Sequence, residues 1–276
     1  MIYHKKKENN KMTEFPLKLT VITNVYNEEY FLPFWLEHHN KIFDHGVVFD
    51  WGSSDSSMDI VRKMCPTWEI IPSPLKLFDA YENDILIMNE EVKHDGYKMV
   101  LNTTEFLVSP KPIRELLSSD RNSYYMRVVP SVLSTHATQD PQNLKDLFEN
   151  ITRVCIGGIP ITERASRCIH SWDHGHYSLG RHLQTLPLTG DLPFYVLWFG
   201  FYPWNEKFHA RKLQIKDKIP QSDYEKGFSH QHKETREGNE YRREKALELS
   251  TSIESVPHLE ECLLHSIRCW EEGVRG

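Results

Sequence analysis

Cysteine is scarce and unpatterned. Cys65, Cys155, Cys168, Cys262 and Cys269 are odd in number, scattered, and include no Cys-x-x-Cys pair. That spacing offers neither a disulfide framework nor a zinc knuckle, and a reducing, cytoplasmic setting is the simpler expectation. Long apolar runs are missing too. None reaches the ~18–20 residues needed to cross a bilayer, so at most peripheral membrane contact is expected. Positive charge is not in excess: 33 Lys and Arg against 39 Asp and Glu leave a net charge of −6. That balance argues against a nucleic-acid partner. The basic stretch Met1–Lys11 has no apolar segment behind it, so residues 1–14 read as a flexible leader and not as a signal peptide. Internal repeats and low-complexity tracts are absent.

What is present suits a folded domain. A chain of 276 residues with 39% hydrophobic and 12% aromatic side chains can bury a real core. Leu17–Val25 is a β-branched apolar run that reads as a buried parallel strand. Glu29–Asn40 has helical apolar spacing, and Val47–Asp50 follows Gly46 as a second strand. Trp51–Ser57 is a turn cluster, with Ser57 placed to cap a helix through Met64. Trp68–Ile71 is a third strand, Asp79–Val92 a helix and Lys98–Leu101 a fourth strand. This alternation predicts an α/β fold with a mostly parallel central sheet flanked by helices. Strands are also expected at 124–129, 153–156, 166–170 and 195–199. Helices are expected at 204–218 and 234–255. The division follows as a domain over 15–203, with halves 15–110 and 111–203, and a helical C-terminal extension over 204–276.

In open α/β sheets, ligands bind at the carboxyl ends of strands. Asn24-Val25-Tyr26-Asn27-Glu28, Asp50-Trp51-Gly52-Ser53-Ser54-Asp55 and Asn102-Thr103-Thr104-Glu105 all fall at such ends. Asp50 and Asp55 have the short acidic side chains that accept from ribose hydroxyls or a base N–H. Gly52 and Ser53 would let a ligand approach the backbone. The alternative reading of the same loop is that its Asp and Ser residues cap the next helix.

The order and spacing of these segments resemble the opening of family 2 type glycosyltransferases. There a strand leads to an Asn-Glu pair and the next strand to an Asp-x-x-Ser-x-Asp loop. Phe34-Trp35-Leu36-Glu37-His38-His39 is similar to a helix of one branch of that family, and Leu101-Asn102-Thr103-Thr104-Glu105-Phe106-Leu107 resembles its metal segment. The resemblance covers about residues 17–110 well and runs more loosely to about 230. It implies a GT-A (nucleotide-diphospho-sugar transferase) fold, a nucleotide-sugar donor, a glycan, lipid-linked saccharide or protein acceptor, and inverting transfer. By position it gives the nucleotide role to Asp50 and Asp55 and puts Asn27 and Glu28 at the mouth of the same pocket, and Asn24, Tyr26, Gly52, Ser53, Asn102 and Thr104 are the further donor contacts expected there.

The departure lies in the metal motif. The resembled branch carries Asp-x-Asp-Glu-Phe where this chain has Asn102-Thr103-Thr104-Glu105-Phe106. Hard divalent cations prefer charged oxygens. Asn and Thr offer neutral ones, which weakens any Mn²⁺ or Mg²⁺ site and leaves Glu105 as the remaining acid. Three outcomes stay open: transfer without metal, a metal held elsewhere, or a pseudoenzyme.

Charge compensation could come from 164–182, which holds Arg164, Arg167, Arg181 and a cluster of histidines. His174-Gly175-His176 has a spacing that can chelate a metal. Asp173 beside it is a candidate base for an acceptor hydroxyl, and Arg181 a candidate diphosphate contact. The alternative is that these histidines are ordinary half-buried loop residues. The stretch 208–220 alternates basic and apolar residues, so it could touch an anionic ligand or present a solvated helix face. Two other function classes remain: a non-catalytic nucleotide- or carbohydrate-binding module on the same fold, and a metal-dependent hydrolase built on the histidines.

Overall fold

The computed structural model describes residues 17–117, 123–126, 131–134, 139–156, 167–181, 184–187, 189–190, 192–226 and 235–276. The leader, Arg164, His182, His230 and His232 lie outside the described residues.

The strands are β1 Leu19–Val25, β2 His45–Asp50, β3 Glu69–Pro72, β4 Tyr97–Val100, β5 Glu105–Val108, β6 Ser123–Met126, β7 Ser131–Leu133, β8 Arg153–Cys155, β9 Arg167–His170, β10 Tyr195–Trp198 and β11 Thr251–Ser252. The helices are α1 Leu32–Ile42, α2 Ser57–Met64, α3 Ala80–Glu91, α4 Leu144–Glu149, α5 Glu206–Gln214, α6 Gln221–Glu225, α7 Arg236–Glu248 and α8 Leu259–Glu272. The strands form two sheets, ordered β3-β2-β1-β4-β9-β6 and β11-β8-β7-β10-β5.

In the first sheet β3, β2, β1 and β4 run parallel, while β9 lies antiparallel to β4 and β6 antiparallel to β9. The expected α/β fold with a central parallel sheet flanked by helices is the one observed. β1 is the middle of the parallel set, and its Leu19, Val21, Ile22 and Val25 are all fully buried. Leu19, Val21 and Val25 pack into the larger core beneath α1 and α2, with Trp35, Leu36, Met58 and Val61. Ile22 points the other way, joining Val47, Phe49, Ile87 and Val100 beneath α3. Thr20 and Thr23 are buried as well, and that two-sided burial is why β1 does not show a strict apolar–polar alternation. Gly46 is required by contact: a Cβ there would sit 2.1 Å from the Trp68 ring.

The second sheet was not evident in the sequence. Its edge strand β5 pairs on one side only, with β10. The other side is satisfied by side chains of α1. Trp35 Nε1 donates to the Glu105 carbonyl at 2.9 Å, and His38 Nε2 to the Leu107 carbonyl at 2.6 Å. His39 Nδ1 donates to the Trp35 carbonyl at 2.9 Å while its Nε2 accepts from the Leu107 N–H at 3.3 Å. The Trp-Leu-Glu-His-His helix therefore works as a substitute strand, meeting the backbone groups of alternate residues on one edge.

His39 must be neutral for its Nε2 to accept, and burial disfavours the charged form of both rings. Burial lowers the His38 pKa to about 4 and holds His39 well below its ordinary value. Depressed imidazoles stabilise the fold fully above their unfolded pKa of ~6.5, and that stability is lost as pH falls toward the folded value. The melting temperature is expected to be level above that point and to decline steadily from there to pH ~4. A melting series that stays flat to pH ~4 would contradict the assignment.

The C-terminal residues are built into the body. Leu259, Cys262, Leu263 and Ile267 of α8 belong to the main core. Lys41 Nζ donates to the Cys269 and Trp270 carbonyls at 2.9 and 3.1 Å, and Trp270 Nε1 to Glu37 Oε1 at 2.8 Å. All five cysteines are free and buried. No helix is long and apolar enough to cross a membrane, among the described residues.

Candidate functional site

The carboxyl ends of β1, β2 and β4 meet at one edge of the parallel sheet. After β1, the loop carries Tyr26, Asn27 and Glu28. After β2 it carries Trp51, Gly52 and Ser53. These two loops are stitched together by backbone-to-side-chain bonds. Asn27 N–H donates to Ser53 Oγ at 3.1 Å, Glu28 N–H to Ser57 Oγ at 2.7 Å, and Ser54 N–H to Asn27 Oδ1 at 2.8 Å. Asn27 takes a positive φ of 52°, which asparagine tolerates better than most residues.

Asp50 and Asp55 differ in the acceptor capacity they retain. Asp55 commits both oxygens to backbone: Oδ2 accepts from Glu29 N–H at 3.0 Å and Oδ1 from Ser57 N–H at 2.9 Å. For Asp55 the helix-capping alternative describes the geometry. Ser57 does not cap its own helix; its hydroxyl is taken by Glu28 N–H instead. Among the described residues Asp50 uses only Oδ1, accepting from Ser53 N–H at 2.8 Å. Its second oxygen keeps its acceptor capacity at the strand end. Gly52 adopts φ 78°, a left-handed turn that exposes the loop backbone beside it. Asn24 Oδ1 accepts from Trp51 Nε1 at 3.3 Å, and Trp51 stacks obliquely on Phe78 at 4.8 Å.

A roof over these loops comes from 206–223, the first part of the expected helical extension. Arg211 on α5 clamps Glu28 through Nε and Nη2, the latter at 2.8 Å to Oε1. The same Nη2 donates to Thr103 Oγ1 at 3.2 Å. Burial pushes the Glu28 carboxyl above its ordinary range, with Arg211 pulling it back. Gln214 Nε2 donates to the Asn27 carbonyl at 2.5 Å and the Tyr26 carbonyl at 3.3 Å. The 3-10 turn Ile215–Lys218 then brings the Lys218 ammonium 4.7 Å above the Tyr26 ring. That ammonium lies 4.0 Å from where a Cβ on Gly52 would be. Asp223 on α6 closes the roof, accepting from Ala80 N–H at 3.1 Å.

Beyond β4, a compact ionic network fills the place of the expected metal motif. Glu105 is buried and takes Arg167 on both oxygens, with Nε at 2.8 Å from Oε2. It also accepts from the backbone N–H and side-chain amide of Asn102, at 2.8 and 3.2 Å. Arg181 binds Asp84 Oδ1 at 2.6 Å and Asn102 Oδ1 at 3.1 Å. Gly180 N–H donates to Asp84 Oδ2 at 2.7 Å. The four charged side chains are only 4–6% exposed. Two arginines balance two carboxylates, so the network is neutral overall. These residues do not fit a divalent cation. The acid Glu105 is saturated by a guanidinium, Thr104 is buried, and the Asn102 oxygen faces Arg181.

The histidine segment lies elsewhere. β9 runs antiparallel to β4 with Lys98 opposite His170, so its Arg167 end is at the site and its His170 end is at the amino ends of the parallel strands. From His170 the chain is tethered to Glu91 at the C-terminus of α3. Glu91 binds His170 Nε2 at 3.1 Å, Gly175 N–H at 2.7 Å and the Tyr177 hydroxyl at 2.6 Å. The chain then follows α3 back to Asp84, seven residues or about 10 Å along the helix. Among the described residues of this segment after His170, Gly180 and Arg181 reach the strand ends. Asp173, His174 and His176 sit at the Glu91 end, the two imidazoles tilted against each other with centroids 3.9 Å apart. No group of three or more His, Cys, Asp or Glu is arranged to hold a metal, among the described residues.

Sequence reasoning did not assign Asp84, whose partner Arg181 is 97 residues away with no local signal. Lys218, Arg211 and Gln214 lay in a stretch that stands out in the sequence only for its alternating charge.

No sequence-family profile matches the chain, and no curated protein matches it. Solved structures give partial likenesses at low identity. TarS 1-349 of S. aureus in complex with UDP-GlcNAc is 11% identical, with a TM-score of 0.42 and coverage of 94% of this chain and 93% of that one. Glucosyl-3-phosphoglycerate synthase from Mycobacterium tuberculosis with Mn²⁺, UDP-glucose and phosphoglyceric acid is 13% identical, at 0.33 over 56% and 57%. HddC from Yersinia pseudotuberculosis is 12% identical, at 0.37 over 71% and 97%. In three other TarS chains the match spans 23%, 47% and 65% of their length, less than two thirds of each.

Proposed function

We propose that this protein is a glycosyltransferase of the GT-A kind. It takes a nucleotide-sugar donor at the carboxyl ends of β1, β2 and β4 and passes the sugar to a hydroxyl of a glycan, lipid-linked saccharide or protein. The observation that carries the reading is the Asp50 carboxylate. It sits at a strand end with one oxygen uncommitted, beside the left-handed Gly52 and beneath the roof that holds Lys218. An uncommitted carboxylate oxygen there is suited to a ribose diol, as the resemblance to family 2 implies. Asn24, Asn27, Ser53 and Asp55 shape the two loops, and Tyr26 offers a ring face to the base. Asp173 stands at the other end of α3 and has no part in this site.

The reading is tested by thermal shift against UDP, GDP, CDP and ADP and their sugar conjugates. A ligand at 100 times its Kd raises stability by about 2.7 kcal/mol. One base is expected to raise the melting temperature, and release of that nucleoside diphosphate from its sugar conjugate should depend on an acceptor. No shift with any of the four would count against a nucleotide site.

The neutral network at Asn102–Glu105 favours a second reading, a nucleotide-binding module without turnover. Saturable donor binding with no acceptor-dependent release would select it.

A further inference from the structure

We propose that the donor diphosphate is neutralised by Lys218 and not by a divalent cation. The inference rests on the nucleotide-sugar reading above and says how that site handles charge. A nucleoside diphosphate brings two to three negative charges to the strand ends, and a protein answers them with a metal or with Lys and Arg. The metal route is closed by the side chains present. Where two carboxylates would be needed, Asn102 and Thr104 are neutral, and Glu105 is held on both oxygens by Arg167.

The arginines are occupied as well. Arg167 is committed to Glu105, Arg181 to Asp84 and Arg211 to Glu28. Moving any of them onto a diphosphate would leave a buried or largely buried carboxylate without its partner, which is strongly destabilising. Lys218 differs from all three. Among the described residues it makes no ion pair, and its ammonium rests on the Tyr26 ring at 4.7 Å. A cation–π interaction of this kind contributes little when partly exposed, so an anion can draw the ammonium away from it. The position suits the task. Gly52 follows β2 at the site, lies beneath Lys218, and has no side chain to keep phosphate oxygens at a distance. Leaving the ring also uncovers a face of Tyr26 on which a base can stack.

The roof is fixed well enough to aim the lysine. Gln214, one turn earlier, holds the Tyr26 and Asn27 carbonyls, and the Lys218 carbonyl accepts from Phe78 N–H at 2.7 Å. The backbone that carries Lys218 is thus tied to both neighbouring loops while its side chain is free to swing.

The test is calorimetric titration of the full-length protein with UDP, GDP, CDP and ADP, each compared with its own nucleoside, in excess EDTA and in excess Mn²⁺. The expected result is that one diphosphate binds equally well in both. Lys218→Ala should weaken that diphosphate by roughly tenfold to a hundredfold, cause no loss of affinity for its nucleoside, and be rescued in large part by Lys218→Arg. Binding that requires Mn²⁺ overturns the inference and leaves the donor-site reading standing. So does a Lys218→Ala protein that binds the diphosphate as wild type does. If no diphosphate binds in either condition, both fall together.

Discussion

Glu105→Ala is expected to lower stability by about 3–5 kcal/mol, because it leaves the Arg167 guanidinium buried without its counter-charge. In a chain of this size that corresponds to a drop of roughly 10 °C in melting temperature. The loss should be larger than for any surface ion pair, for example Arg62 with Asp59, where both side chains are well exposed. The double variant Glu105→Leu/Arg167→Met removes both charges and is expected to recover part of the loss. Recovery would be incomplete, because the Asn102 backbone N–H and side-chain amide also donate to Glu105. Thermal or denaturant melts of the two variants decide the point. A Glu105→Ala protein that melts within about 2 °C of wild type would mean the carboxylate is dispensable to the fold.

Asp50→Ala is expected to have the opposite signature, with little change in melting and a large loss of donor. Its side-chain bond to Ser53 N–H is of ordinary length and lies in a half-buried loop. Two hydrogen bonds from ribose hydroxyls to an ionised carboxylate would contribute about 1.5–3 kcal/mol each. Removing them should weaken nucleoside and nucleoside diphosphate alike by about a hundredfold to ten-thousandfold. That separates Asp50 from Lys218, whose removal should weaken only the diphosphate. Asp55→Ala should instead act mainly on stability, since both its oxygens serve backbone N–H groups. Titration of the three variants against one diphosphate and its nucleoside tells these roles apart.

The parallel half of the fold was legible because its signals are local. β1 declares itself by an apolar run buried on both faces, and Gly46 and the Asp50–Ser57 cluster mark where β2 starts and stops. α3 begins at Asp79, whose side chain accepts from Tyr81 and Glu82 N–H as a capping aspartate should. The second sheet was not legible. β7 and β8 are three residues each, and β5 takes its outer hydrogen bonds from α1 side chains. Nothing in Trp35, His38 or His39 taken alone announces that they serve a strand edge about 70 residues later.

The site was readable in position but not in wiring. The three strand ends converge as the α/β pattern requires, and Arg181 does reach Asn102. Sequence spacing could not say that Asp173, His174 and His176 would leave from the far end of β9, since that depends on the antiparallel direction of β9 against β4. Nor could it say that Lys218 would return over Tyr26, a contact spanning most of the chain.

The most direct measurement is a crystal structure of the protein with the nucleoside diphosphate selected by titration, grown without added metal. The account predicts ligand density between Tyr26, Asp50 and Gly52, with the ribose on Asp50 and the Lys218 ammonium moved from the Tyr26 ring to the phosphates. Density at the Glu91 end of α3, beside His174 and His176, would contradict it.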